Sequence, residues 1–264
     1  MGKRQAGERQ LKIMAAFEQK VKQSKAGRMA AEELEEHARR APTGSLLRQV
    51  ILGGQDGVVN VLGLALGVAS ATSDPRLVII SGLAGTFAES ISMAAVAYTS
   101  SRATQDHYIS EVEKEKWEME NLPEVERDEV RLIYMKKGFR GRVLEDIVKR
   151  ITSNRKTWLE SMMSDELGLG SELKKIDPPR EAAVVGFASL LGSLIPIVPF
   201  FLLPVFDGIL AAVAISTVTL FAAGFKKAQL TVGNPWKSGI EMALVGMVAA
   251  IAGYAIGYVI PKML

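Results

Sequence analysis

Four groups of side chains are of a type and spacing suited to holding a metal ion or carrying a proton. Glu111, Glu115 and Glu118 recur at i, i+4 and i+7, so on a helix they share one face. Glu126 and Glu129 follow at i and i+3, and Met162 and Met163 precede Glu166 by four and three residues, so these too can point one way. Carboxylates with water suit hard or borderline ions such as Mg²⁺, Mn²⁺ and Fe²⁺, while thioether sulfur biases a site towards softer ones. Like charges at this spacing repel by roughly 0.2–0.5 kcal/mol per pair, and a divalent cation between them reverses the sign. A second reading stands beside this one. Lys114, Lys116, Arg127 and Arg131 are interleaved with the acids, as in a solvated charged surface.

The last group, Asp56, Asn60, Glu89 and Met93, stands in otherwise apolar sequence. A carboxylate inside a membrane costs roughly 3 kcal/mol unless it is paired, protonated or facing a wet cavity, which makes it a functional candidate. Asn60 is four residues beyond Asp56 and Met93 four beyond Glu89, so each pair shares a helix face. Such carboxyls are natural proton carriers; the alternative is hydrogen bonding between helices for packing alone.

The elements that must position these residues follow from where charge is absent. Of the 61 charged side chains in 264 residues, only ten lie within 50–100 and 183–264. Five apolar stretches, 50–71, 77–99, 182–203, 206–225 and 240–260, approach the ~20 residues needed to cross a bilayer. Pro196 and Pro199 should kink or break the outer end of the third, and Pro204 marks a tight hairpin before the fourth. If 1–49, 101–182 and 226–237 share one side, that side holds 30 of the 32 Lys and Arg, which assigns it to the cytoplasm and the C-terminus to the outside. The expectation is an all-α polytopic membrane protein with five transmembrane helices in a lipid bilayer. A helical cytoplasmic metal-binding domain would lie between the second and third spans.

The chain then divides into an amphipathic cytoplasmic helix in 1–45 and the first two spans in 46–100. A three-helix acidic domain occupies 101–181, and the last three spans fill 182–264. The first segment carries Leu11, Met14, Phe17 and Val21 at helical spacing and reads as a surface-lying helix. With no cysteine, disulfides, Cys-zinc sites and thiol catalysis are excluded. No basic stripe with interleaved aromatics points to nucleic acid.

With those residues in hand, the sequence resembles the vacuolar iron transporter (VIT/CCC-type) family from about Leu46 to the C-terminus. The resemblance rests on GGQDGVVNVLGLALGV (53–68), SISMAAVAY (90–98), EKEKWEMENLPEVERDEVRLIYMKKGF (113–139) and MMSDELGL (162–169). It implies a homodimer of five-span subunits exporting Fe²⁺, and often Mn²⁺, from the cytoplasm in exchange for protons. The ion, with Co²⁺ and Zn²⁺ as further candidates, would be bound substrate and not a prosthetic group. The family's metal-domain ligands match at Glu115, Glu118, Glu126, Glu129, Met162, Met163 and Glu166, and its membrane path at Asp56 and Met93. Many relatives have a Glu where this chain has Ala97, and Glu89 is the candidate to replace it. No enzymatic activity is expected.

Two other functions compete. One is a membrane-anchored ferroxidase or iron store, which would use Glu-x-x-His pairs; Leu34 and Thr104 occupy the places three residues before His37 and His107. The other is a metal sensor that transports nothing. The absence of cysteine and of a plant-like targeting segment points to a prokaryotic cell membrane.

Overall fold

The computed structural model describes residues 25–170, 172–230 and 233–263. The apolar positions Leu11, Met14, Phe17 and Val21 lie outside them. Among the described residues no strand occurs. Two long helices come first, α1 (Lys25–Thr72) and α2 (Pro75–Asn121). Three shorter ones follow: α3 (Pro123–Lys136), α4 (Gly141–Thr152) and α5 (Arg155–Ser161), the last running into a π-helical turn over Met162–Glu166. The chain then returns through α6 (Pro178–Leu194), α7 (Val198–Leu202), α8 (Val205–Leu230) and α9 (Pro235–Met263).

Local chemistry sets these boundaries. Asp74 accepts a hydrogen bond from the Arg76 amide at 2.8 Å and Pro75 opens α2, so the chain reverses within two residues of α1. Asn154 caps α5 through the Lys156 and Thr157 amides, and Asn234 caps α9 through those of Trp236 and Lys237. Proline follows Asp74, Asp177 and Asn234 directly, where its missing N–H costs nothing.

Among the described residues four helices are long and apolar enough to cross a membrane: Leu47–Thr72, Pro75–Asn121, Val205–Gln229 and Pro235–Met263. The stretch 182–203 is not the single helix expected of a span. Its helix stops at Leu194, turns over 195–197 and resumes for five residues at Val198. Pro196 and Pro199 withdraw the two amides that would continue the ladder. The 17 residues of α6 rise about 26 Å, just short of the ~30 Å hydrocarbon thickness.

The apolar helices pack through small residues. A β-carbon at Gly57 would collide with the carbonyl oxygen of Ser189, and one at Gly257 with that of Gly67, so α1 lies backbone to backbone against both α6 and α9. Leu62, Leu66, Val78, Phe200, Ala212 and Ala250 fill the space between.

Below the apolar zone α2 does not end. It continues past Thr99 without a break, and its charged half joins α3, α4 and α5 around Met119, Val130, Leu144, Val148, Ile151, Trp158 and Met162. The sequence predicts three helical segments here; α4 is a fourth, presenting Leu144, Val148 and Ile151 inward at i, i+4 and i+7.

Candidate metal centre and membrane carboxylates

Leu122 and Pro123 fold α3 back against the end of α2, and that corner makes the site. Glu115 and Glu118 on α2 and Glu126 on α3 each offer an oxygen, and the three oxygens lie within 4.8 Å of one another. Two ligands of one divalent ion with metal–oxygen bonds of about 2.1–2.4 Å are separated by at most about 4.2–4.8 Å, so the spacing fits a single ion. Glu115 is 1% exposed and Glu126 2%, and one oxygen of each, Oε2, has no hydrogen-bond partner. Buried acids without partners are otherwise rare, since each costs the desolvation of a charge.

The electrostatics agree. Burial, reinforced by Glu166 and Glu118, pushes the Glu115 carboxyl up to about 7. Burial with Glu129 and Glu115 beside it pushes Glu126 up to about 8. Glu166 is also raised, by burial and by Glu129. Glu129 and Glu166 thus face the triad closely enough to be felt. Glu111 does not join it: its carboxylate lies between His107 Nδ1 at 3.8 Å and Lys114 Nζ at 4.0 Å. Lys114 Nζ also stands 3.9 Å from Glu118.

The π turn brings in the methionines. Met162 and Met163 are both buried, Met162 within the apolar core that α2 to α5 share. Asp165 holds the turn: Lys137 pairs with it, Tyr134 Oη donates to it at 3.2 Å and Ser161 Oγ at 3.0 Å. These contacts give Tyr134 and Lys137 of the IYMKKG segment a structural role.

In the apolar zone, Asn60 Nδ2 on α1 donates to Glu89 Oε1 on α2 at 3.0 Å. The Glu89 carboxyl is also in hydrogen-bond contact with Asp56. Three of the four expected residues therefore form one network across two helices. Met93 is half-buried one turn beyond Glu89. Asn60 is exposed on the flank of the chain.

Sequence reasoning passed over a third set, where α1, α2 and α6 leave the apolar zone. Ser101 Oγ donates to the Glu181 carboxylate, Gln105 Nε2 to the Ile176 carbonyl at 3.2 Å, and the buried Gln49 Oε1 has no partner. Glu181 is acidic sequence just before an apolar run, and nothing local marks it out.

The profile of the VIT family matches residues 47–258. The chain belongs to the VIT family. The match begins where α1 turns apolar and takes in both carboxylate groups. Vacuolar iron transporter 1 of Arabidopsis thaliana is 32% identical over 221 residues, covering 82% of this chain and 87% of that protein. Vacuolar iron transporter 1 of Tulipa gesneriana is 32% identical, covering 84% and 90%. The vacuolar iron transporter of Plasmodium falciparum is 33% identical, covering 81% and 82%. VIT family members are named as transporters, not enzymes, and this one is an integral membrane protein. The relatives are named for vacuoles of plants and Plasmodium, so the expected prokaryotic cell membrane gains no support from them.

Proposed function

We propose that this VIT-family chain carries Fe²⁺, and also Mn²⁺, out of the cytoplasm in exchange for protons. The observation that carries this reading is the Asp56–Asn60–Glu89 network, two carboxyls and an amide joined across two membrane helices. Two carboxyls in contact hold one proton or one cation between them, which is the exchange an antiporter needs. Iron comes from the relatives' names.

The Glu115–Glu118–Glu126 cluster, with Glu129, Met162, Met163 and Glu166 around it, collects the hydrated ion from the cytoplasm. Its protons leave as the ion enters. The ion then passes to Asp56 and Met93, and Asp56 or Glu89 takes up a proton from the far side as it departs. In this arrangement α6 and α7 together make a fifth crossing, which puts the 101–181 region on the cytoplasmic side and the C-terminus opposite. Two chains pair so that the exposed mid-span Asn60 is covered by a second copy rather than by lipid.

The test is flux in liposomes. Purified protein is reconstituted anaerobically, and Fe²⁺ and Mn²⁺ movement is followed with and without an imposed pH gradient, beside Asp56→Ala. Flux driven by the gradient and lost in the variant is the expected result. Normal transport by Asp56→Ala would remove the proposed path. Binding without flux would turn the reading towards a sensor, and oxygen-dependent Fe²⁺ oxidation towards a ferroxidase.

A further inference from the structure

The two carboxylate groups are far apart. Glu89 and Glu115 lie on the same helix, separated by about 39 Å of rise, and an ion leaving one must be held somewhere before reaching the other. We infer that Gln49, Ser101 and Glu181 form an intermediate cation site at the cytoplasmic mouth of the membrane path. The inference rests on the transport reading above and adds a third site to it.

Three observations converge on this place. First, α1 and α6 run parallel in fixed register, since Gly53 packs on the Val185 carbonyl and Gly57 on that of Ser189. One turn earlier, the same register sets Gln49 level with Glu181. Second, Ser101 of α2 donates to Glu181 and is itself only 8% exposed, so all three helices meet here. Third, the groups are mismatched for one another. Among the described residues Glu181 has no Lys or Arg partner, and the hydrogen bond it accepts comes from a hydroxyl. The buried Gln49 Oε1 accepts from nothing.

A carboxylate, an amide oxygen and a hydroxyl are the oxygen ligands that hard and borderline divalent ions take. A single carboxylate also binds weakly enough to release. The position suits a waypoint: Ser101 stands about 18 Å of helix rise from Glu89 and about 21 Å from Glu115. Ser101, Gln105, Tyr108, Glu111 and Glu115 recur along α2 at helical spacing as its less exposed stripe, so one face of the helix leads from the acidic cluster to this mouth.

Two measurements on the full-length protein test the site. In liposomes, Glu181→Gln keeps the acceptor for Ser101 but loses the charge. The apparent KM for Mn²⁺ should rise about tenfold, with part of the loss recovered by Glu181→Asp. Separately, Mn²⁺ binding is followed by electron paramagnetic resonance in a Glu115→Gln, Glu126→Gln, Asp56→Asn background. One weak residual site is expected there, and adding Glu181→Gln should abolish it with elution and thermal midpoint unchanged. An unchanged KM, or a residual site that survives Glu181→Gln, overturns the inference. If the unmodified protein shows no flux at all, the transport reading fails and the residual-site measurement alone decides this one.

Discussion

Glu115 and Glu126 carry the sharpest consequence of any single residues, because their burial links folding, proton binding and metal binding. Unfolded, both titrate near 4.5; folded, they titrate near 7 and 8. A raised carboxyl favours the fold only while it keeps its proton. The contribution of these two acids to the metal-free bundle is therefore fully present below about pH 4.5 and is lost as pH rises towards 8. Metal binding runs the other way, since each ion must displace those protons. Mn²⁺ affinity of the cluster should fall on the order of 100-fold between pH 8 and pH 6, measured by calorimetry in buffers of different ionisation heat. A flat profile would mean the acids are ionised before the ion arrives. Glu126→Gln should raise the thermal midpoint of the metal-free protein at pH 8, by an amount equivalent to a few kcal/mol at most, while removing metal-dependent stabilisation. Helical spacing made Glu115, Glu118, Glu126 and Glu129 legible as faces. It could not show that Glu115 faces Glu126 while Glu111 is left with Lys114 and His107, because that depends on the side to which α3 folds back at Leu122.

At the scale of elements, the apolar stretches and the break at Pro196 and Pro199 were readable because proline and hydropathy act locally. The π turn over Met162–Glu166 was not, since it depends on Asp165 being held by Lys137 and Tyr134 from another helix. Helix α4 is hard to read for a different reason: its Leu144, Val148 and Ile151 pattern is only two turns long and lies between segments dominated by charge. Asp165→Asn should weaken Mn²⁺ binding by about tenfold, the equivalent of one charge-assisted bond, with helix content by circular dichroism unchanged. Unaltered affinity would mean that the turn holds its shape without the latch. The α1–α6 contact gives a paired expectation. Gly57→Val should abolish monodisperse folded protein on size exclusion, since its side chain meets both Ser189 and Ser193. Gly54→Ala, whose β-carbon would stand 3.7 Å from the Ala188 carbonyl oxygen, should be tolerated.

For the molecule as a whole, the number of crossings decides sidedness. The chain has no cysteine, so single introduced thiols report cleanly. If α6 and α7 cross, an impermeant maleimide should label Ser153→Cys and Lys262→Cys from opposite sides of the membrane. Labelling of both from one side would leave four crossings. Charge distribution in the sequence argues for labelling from opposite sides, but it could not show that α2 passes from apolar to charged sequence as one uninterrupted helix. That continuity has a mechanical meaning. Helix α2 is a stiff lever about 70 Å long, with Glu89 on its upper arm and Glu115 near its lower tip. A tilt of only 5° at Ser101 would swing that tip by about 2–3 Å over its ~30 Å arm, comparable to a single metal–oxygen bond. The lower carboxylates therefore ride on the same rod as the membrane carboxyls, and such a lean of α2 in the bilayer displaces them by that distance.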